Sequence, residues 1–293
     1  MTETLTPPIE TRTLAVPAAT LTYDVRRNPA TSEPPLMLIG SPMGAGGFAT
    51  LAGHFPDRTV VTYDPRGVER SRKDDDTSES TPEQHADDLH AVIEAVGGPV
   101  DVFASSGGAV NALALVARHP GDVRVLVAHE PPLAALTDDR EAAFAATEDI
   151  RDTYRRSGVG PAMAKFIVLV SHKGAIPADF AEQPVDPAMF GLPTQDDGSR
   201  NDALVGQNII TCTHYEPDFD ALGATRTRLI FAAGEESEGE LAHRGAEAAA
   251  RRLGMTPLVF PSNHGGFLGG EYGQTGKPDE FAATLREVLA AGA

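Results

Sequence analysis

Short runs of apolar residues alternate along the chain with longer stretches whose apolar positions recur at helical spacing. The apolar runs predict eight β-strands, at 14–16, 20–25, 36–40, 59–63, 100–104, 123–128, 228–232 and 257–260. Runs that are apolar throughout indicate strands buried on both faces, as in a parallel sheet. The stretches between them predict helices over 81–96, 107–119, 240–253 and 278–289. This alternation is typical of an α/β architecture.

One stretch departs from that alternation. Residues 131–222 carry helical patterns but no convincing strand, and the prolines in its second half indicate loops. Because this stretch follows the sixth predicted strand, it predicts a helical insertion into the sheet. We therefore expect an α/β core formed by residues 1–132 and 223–293, with residues 133–222 as a helical cap.

The composition is that of an ordinary globular protein, with 41% apolar and 23% charged residues among 293. That length allows one large domain or two small ones. The formal net charge of −18 argues against nucleic acid and anionic membranes as partners, because phosphates would be repelled. No apolar run approaches the roughly 18 residues needed to span a bilayer. We expect neither nucleic acid nor a membrane as partner, and the oligomeric state stays open.

The cysteine count and the first residues bear on the compartment. The single cysteine, Cys212, excludes an internal disulfide framework and a cysteine-based zinc site. Residues 1–16 carry acids and prolines and lack the apolar centre of a secretory signal peptide. We therefore expect a cytoplasmic protein.

The segment most informative about chemistry is 102–110, where a buried strand passes through small residues directly into a helix. A serine at such a sharp turn presents its hydroxyl above the sheet, and the turn needs small residues two positions before and after it. For Ser106 these positions hold Ala104 and Gly108, whereas for Ser105 the first would hold a bulky phenylalanine. The spacing predicts Ser106 as a nucleophile, with a helix-capping serine as the alternative.

A serine hydroxyl needs a base to remove its proton. His264 follows the last predicted strand in a glycine-rich loop, which lets an imidazole lean over the strand ends. His85 and His90 share a helix with two aspartates, a pattern that favours a solvated face over a metal site. His119 ends a helix, where interaction with the helix dipole explains it. His214 lies in the insertion, where it could face a pocket.

A carboxylate must then orient the imidazole, and the sequence offers one after each of two strands. Glu130 directly follows a buried strand and precedes two prolines. The run 235–238 follows the seventh predicted strand, and its Glu238 is the alternative acid. A glutamate at the end of an apolar strand is seldom buried without a partner. The alternative is that such a glutamate is a loop residue whose side chain reaches solvent.

With these residues in place, the chain resembles the α/β-hydrolase family along nearly its whole length. The order Ser106, Glu130, His264 matches the family's order of nucleophile, acid and histidine. Two further segments are similar to family motifs: 40–44 looks like H-G-x-P-G, with Ile39 where the histidine usually stands, and 63–71 looks like D-x-R-G-x-G-x-S, with Glu69 at the second glycine.

The resemblance implies an eight-stranded, mostly parallel sheet with helices on both faces and a helical cap. It also implies an oxyanion hole formed by the backbone N–H groups of Ser41 and Gly107. The family's usual acid position holds Ser237 here. Some members, including haloalkane dehalogenases, take the acid from the end of the sixth strand, the place of Glu130. Those dehalogenases use an aspartate nucleophile, so Ser106 argues against dehalogenation and epoxide hydrolysis.

The sequence thus predicts a serine hydrolase that acts on a small carboxylic ester or related acyl compound without a metal or cofactor. The same three residues would also serve a perhydrolase or haloperoxidase, or a C–C bond hydrolase. A relative that only binds its ligand is a further alternative.

The run 44–49 fits G-x-G-x-x-A with Asp64 ending the next strand, a dinucleotide pattern. A gap between strand and first glycine weakens it, and we expect Asp64 and Arg66 to hold loops.

Overall fold

The computed structural model describes residues 8–291, and within them nine strands form one sheet. The strands are β1 (Ile9–Val16), β2 (Ala19–Arg26), β3 (Leu36–Ile39), β4 (Val60–Asp64), β5 (Arg72–Lys73), β6 (Val100–Ser105), β7 (Val123–His129), β8 (Arg228–Gly234) and β9 (Leu258–Phe260). Their order is β1-β2-β4-β3-β6-β7-β8-β9, with β5 beside β2. Strand β2 is antiparallel to its three neighbours, and the strands from β4 to β9 along this order are parallel. The mostly parallel sheet expected from the sequence is confirmed.

The sheet differs from the sequence prediction at one edge. The additional strand β5 has only two residues, both basic, and pairs antiparallel with the start of β2. An apolar run cannot reveal such a strand. Strand β1 also begins earlier than expected, at Ile9, because its first residues are exposed on an edge strand and carry little apolar pattern. Residues 1–7, which the core and signal-peptide predictions include, lie outside the described residues.

Helices cover both faces of the sheet. They are α1 (Ala49–Gly53), α2 (Pro82–Val96), α3 (Gly107–Arg118), α4 (Arg140–Ser157), α5 (Val159–Val170), α6 (Ile209–Thr213), α7 (Phe219–Ala224), α8 (Leu241–Arg252) and α9 (Pro278–Ala290). Helices α2, α3 and α8 pack on one face, and α1 and α9 pack on the other. The four helices predicted around the sheet are therefore present, and the short α1 is one that the sequence analysis missed.

Burial on both faces explains the continuous apolar strands. Successive side chains of a strand point to opposite faces of the sheet. In β3, Leu36 and Leu38 pack towards α9, whereas Met37 and Ile39 pack towards α2 and α3. All four are fully buried. Each position of the strand therefore has to be apolar, which is why the run reads without alternation.

The chain between β7 and β8 forms helices α4 to α7 and has an apolar cluster of its own. Ala143, Ile150 and Tyr154 of α4 pack there with Val205. We call residues 133–222 the cap segment; its division from the core at these boundaries stays a prediction. Across residues 8–291 no helix is both long and apolar enough to cross a membrane.

Candidate active site

Ser106 is the single residue between β6 and α3. Its backbone has φ 57° and ψ −130°, a conformation that residues with a side chain rarely adopt. Its N–H donates to the carbonyl of His129 at 2.9 Å, which ties the turn to the end of β7. The Ser106 side chain makes no capping hydrogen bond with α3. The geometry therefore fits a strained nucleophile turn and argues against a capping serine.

The neighbours of Ser106 explain why this position, and not Ser105, holds the exposed hydroxyl. A Cβ added at Gly108 would lie 2.6 Å from the carbonyl oxygen of Ile39, so α3 approaches the end of β3 too closely for any side chain. Ser105 is buried, and its hydroxyl lies 3.2 Å from Nδ1 of His129. Ser106 is the partly exposed member of the pair.

The structure brings His264 and Glu130 together. Nδ1 of His264 lies 2.5 Å from Oε2 of Glu130, a short charge-assisted hydrogen bond. Glu130 follows β7, and its side chain is 0% exposed. Its backbone has φ 47°, and its N–H donates to the carbonyl of Ala232 in β8 at 2.9 Å. The turn in the backbone thus directs the carboxylate across the end of β8 towards the histidine loop.

The other oxygen of Glu130 is held by the end of β8. The N–H of Gly234 donates to Oε1 at 2.8 Å, and the hydroxyl of Ser237 donates to the same oxygen. Nδ1 of His243 lies 3.8 Å from Oε1. The sequence analysis identified Ser237 only as the serine at the family's usual acid position, and it did not find His243. Their role depends on where Glu130 points, which no local pattern reveals.

The alternative acid, Glu238, is exposed to solvent. Its neighbours Glu235 and Glu236 pair with Lys277, at 2.9 Å and 2.7 Å. In the described part of the chain the carboxylate hydrogen-bonded to His264 is that of Glu130.

The protonation of the pair follows from its surroundings. Burial raises the pKa of Glu130, but the hydrogen bonds from His264 and Ser237 outweigh it and hold the pKa well below its usual range. Burial lowers the pKa of His264, and the Glu130 carboxylate overcomes this and raises it above its ordinary value. His129 has no such bond to a carboxylate, and burial lowers its pKa to about 4. At neutral pH, Glu130 is therefore a carboxylate and His129 a neutral imidazole.

Ser41 and Gly107, the predicted oxyanion donors, lie side by side. A Cβ added at Gly107 would be 2.6 Å from the carbonyl oxygen of Ser41. Among the protein hydrogen bonds of residues 8–291, neither the Ser41 nor the Gly107 backbone N–H is a donor. The Gly107 group is the first of a helix, where N–H groups lack partners within the helix. Both groups are thus free to donate to a ligand.

The cap segment reaches this turn through Cys212 of α6. The same Cβ position at Gly107 lies 3.4 Å from Sγ of Cys212. The cysteine is buried, and burial raises the pKa of its thiol to about 12. It is therefore a neutral packing group beside the serine turn, not a second nucleophile.

At residues 44–49, the segment with the dinucleotide pattern, the space next to the glycines is filled by side chains of the protein. The carboxylate of Asp64 accepts the N–H of Ala45 at 2.8 Å and Nε of Arg70 at 2.6 Å. A Cβ at Gly44 would lie 2.8 Å from Asp64, so the glycine makes room for this side chain. Asp64 therefore holds loops together, as expected, and offers no free carboxylate to a ribose.

The expectation of a solvated face at His85 is wrong. His85 is fully buried, with Nε2 3.0 Å from Oδ1 of Asn208, and burial lowers its pKa to about 4. Asp88, on the same helix, is buried too and makes a bidentate ion pair with Arg66 at 2.6–2.7 Å. Contacts with the loop after β4 and with the cap segment cover this side of α2. The sequence of the helix alone cannot reveal them.

His214, which the sequence analysis placed in the insertion, packs against other residues of the cap segment. Its ring stacks on Phe144, with centroids 3.7 Å apart, and Nε2 lies 3.0 Å from Oγ1 of Thr147. These contacts join α4 to the end of α6 within the cap segment. A cleft of about 610 Å³ lies near α7 and the end of α8, and its lining includes none of Ser106, Glu130 and His264.

The comparisons with known proteins agree on one family. The model of the "alpha/beta hydrolase fold" family matches residues 34–168, which include Ser106 and Glu130. The chain is 31% identical to Uncharacterized hydrolase YraK of Bacillus subtilis (strain 168), covering 96% of each protein. Among solved structures, it is similar to a thermophilic esterase from Thermogutta terrifontis, with TM-score 0.66, 19% identity and coverage of 96% and 98% of the two chains. It is also similar to the enol-lactonase from Burkholderia xenovorans LB400, with TM-score 0.65, 16% identity and coverage of 95% and 99%.

Proposed function

The chain belongs to the α/β-hydrolase fold family and is a hydrolase, and from this premise we propose that it cleaves a carboxylic ester or related acyl compound through Ser106, His264 and Glu130. The observation that carries the proposal is the 2.5 Å hydrogen bond between Nδ1 of His264 and the buried Glu130. An imidazole held at Nδ1 keeps Nε2 as the nitrogen that accepts a proton from a serine.

The proposed reaction has two halves. The Ser106 hydroxyl attacks the substrate carbonyl while Nε2 of His264 takes its proton, and Glu130 balances the imidazolium charge. The N–H groups of Ser41 and Gly107 stabilise the oxyanion. The leaving alcohol departs with the proton from His264, which leaves an acyl-enzyme. Water then attacks the acyl group with His264 again as the base, and the carboxylic acid is released.

An ester-type substrate is supported by what the similar structures are called. The Thermogutta terrifontis protein is named an esterase and the Burkholderia xenovorans protein an enol-lactonase, and both names denote cleavage of an acyl–oxygen bond. The three residues need no metal or organic cofactor for this chemistry. We propose that the cap segment, which reaches the serine turn through Cys212, selects the acyl group.

The test uses the two adjacent serines as a matched pair. Ser106→Ala should lose turnover of chromogenic esters and covalent labelling by a fluorophosphonate, whereas Ser105→Ala should keep both. Circular dichroism verifies that each variant is folded. If Ser105→Ala is the inactive variant and Ser106→Ala is not, the nucleophile assignment is wrong.

The same assays separate the alternatives. A binding protein without catalysis would leave Ser106 unlabelled by the fluorophosphonate and all esters intact. A perhydrolase would turn over an acyl donor faster with hydrogen peroxide than with water as acceptor. A C–C bond hydrolase would ignore simple esters while Ser106 still reacts with the phosphonate. Hydrolysis of esters that is faster than both perhydrolysis and C–C bond hydrolysis supports the proposal.

A further inference from the structure

Three side chains that can bind a metal ion lie together on the surface. They come from three elements: His90 from α2, His119 from the end of α3, and Asp122 from the turn before β7. One nitrogen of each imidazole and one oxygen of Asp122 lie within 4.8 Å of one another. The sequence separates these residues, and its analysis assigned His90 to a solvated face and His119 to a helix dipole. The fold brings them to one place.

The two imidazoles are exposed enough to admit an ion. Their side chains are 31% and 23% exposed for His90 and His119. The rings stack face to face, with centroids 4.0 Å apart and an interplanar angle of 7°. Nδ1 of His90 lies 2.7 Å from Oδ2 of Asp122, so this nitrogen and this oxygen already face each other.

A carboxylate faces the Nε2 atom of each ring. Nε2 of His119 lies 2.8 Å from Oδ1 of Asp87, which Arg118 also contacts, and Nε2 of His90 lies 3.7 Å from Oε2 of Glu94. In metal centres a ligating histidine donates its other N–H to a carboxylate, which fixes the tautomer and orients the ring. Because Nε2 of His119 is engaged by Asp87, Nδ1 is the nitrogen of that ring left for an ion, and Nδ1 of His90 already faces Asp122.

We propose that His90, His119 and Asp122 bind one divalent transition ion of the zinc class. Imidazole and carboxylate ligands suit Zn²⁺, whereas Mg²⁺ and Ca²⁺ prefer oxygen ligands alone. The ion replaces the proton on Nδ1 of His90, and that imidazole carries its proton on Nε2, which faces Glu94. The lone pair of an imidazole nitrogen lies in the plane of its ring, so the ion requires the stack to open. The His90 ring, whose Nε2 is 3.7 Å from Glu94, turns away from the His119 ring, which Asp87 holds. The donors then reach the separation of about 3.3 Å that Zn–N bonds of about 2.0–2.1 Å require in a tetrahedron. Water fills the fourth position.

The site is remote from the proposed chemistry. Asp122 and Glu130 stand at opposite ends of β7, and a strand advances about 3.3 Å per residue, so they are about 25 Å apart. The ion therefore does not touch the reacting atoms. It links α2, α3 and the start of β7, and because it binds the folded chain it stabilises that state. This inference does not rest on the proposed function.

The test measures zinc binding to the whole chain after treatment with EDTA. Titration calorimetry should show one ion fewer per chain in the double variant His90→Gln, His119→Gln than in the wild type. Zinc at about 100 times its Kd should raise the Tm of the wild type by about 5 °C and leave that of the double variant unchanged. His54→Gln is the matched control, because His54 is a surface histidine that faces a single carboxylate, Asp279, at 3.4 Å. It should bind as many ions as the wild type.

A second variant guards against a folding defect in the first. Asp122→Asn keeps both imidazoles and removes one charged ligand, and it should weaken zinc binding at this site tenfold or more. Equal stoichiometry and an equal zinc-induced rise in Tm in the wild type and the double variant would overturn the proposal. An unchanged affinity in Asp122→Asn would remove Asp122 from the site. Ester hydrolysis is not the readout, so failure here leaves the proposed function intact.

Discussion

Glu130 is a fully buried carboxylate, and such a group is stable only where hydrogen bonds and opposite charge replace the water that it has lost. Its two oxygens have divided tasks. Oε2 faces His264, and Oε1 is held by Gly234 and Ser237 at the end of β8. The carboxylate is thus fixed before a substrate arrives, and the imidazole is oriented by a group that cannot turn away.

Glu130→Gln should lower kcat by about 10⁴, because an amide in place of the orienting carboxylate can favour the wrong imidazole tautomer and cannot balance the imidazolium. Glu238→Gln is the matched control, since Glu238 is an exposed glutamate in the loop after β8, where the alternative acid was predicted. It should cost little. Steady-state kinetics on one chromogenic ester compares the two. A large loss in Glu238→Gln with near-normal Glu130→Gln would move the acid to the loop after β8.

The pH profile should carry the mark of the same pair. Catalysis needs the neutral imidazole, so kcat/KM rises with pH through the pKa of His264. Because Glu130 raises that pKa, the rise should be centred above the ordinary value of about 6.5. In Glu130→Gln the midpoint of this rise should move to lower pH, because the charge that stabilises the protonated imidazole is gone. A midpoint that does not move between the two proteins would contradict the coupling.

At the scale of elements, the site depends on how closely α3 approaches the end of β3. A Cβ at Gly108 would lie 2.6 Å from the Ile39 carbonyl, and one at Gly107 would lie 2.6 Å from that of Ser41. These two glycines let the helix start close to the loop that holds Ser41, the other proposed oxyanion donor. The small residues around Ser106 are therefore a requirement of packing between elements as well as of the turn.

Gly108→Ala should destabilise the fold and depress activity, because the new methyl group meets backbone that cannot give way. We expect a loss of about 1–3 kcal/mol in the free energy of unfolding, the usual cost of overpacking. Gly53→Ala is the control: Gly53 is exposed in α1, and nothing lies within 4 Å of an added Cβ. Denaturant unfolding compares the two, and equal stabilities would show that α3 can shift away from β3.

What the sequence could predict at this scale follows from the range of the interactions. The sharp turn at Ser106 was predictable because a strand, a turn and a helix lie within a few residues of each other. The buried strands were predictable because both of their faces are apolar. Strand β5 was not, since two basic residues pair with β2 only through the backbone. The burial of His85 and the support of Glu130 by Ser237 were not either, because each depends on residues distant in sequence.

At the scale of the whole molecule, the chain places its catalytic candidates at the ends of the strands, and the cap segment reaches the serine turn through Cys212. The fold class was predictable from the alternation of strands and helices. The substrate was not, because a sequence cannot say which side chains of the cap segment, such as Cys212, lie next to the serine turn. The candidate metal ligands were hidden for the same reason, since three elements meet to form them.

Cys212→Ala should change which esters are preferred, because it removes the sulfur that packs 3.4 Å from the Cβ position at Gly107. We expect the ratio of kcat/KM for a bulky acyl ester to that for an acetyl ester to rise by about tenfold, the usual effect of a methylene-sized change in a pocket. Met189→Ala is the control, at a cap residue that is 79% exposed. Loss of fluorophosphonate labelling in Cys212→Ala would show instead that the cysteine supports the chemistry itself.

The hydroxyl of Ser237 on the carboxylate of Glu130 also has a consequence for the history of the site. A side chain at position 237 already reaches the place where the acid sits, so an acidic residue there could take over from one after β7. A lineage could pass the role from one strand to its neighbour through a form that carries both acids. In that form the two carboxyl groups would share a proton, because like charges so close do not both ionise. Glu130→Ser combined with Ser237→Asp would reproduce the far end of that path, and recovery of activity relative to Glu130→Ser alone would show that the acid belongs to a place in the fold and not to a strand.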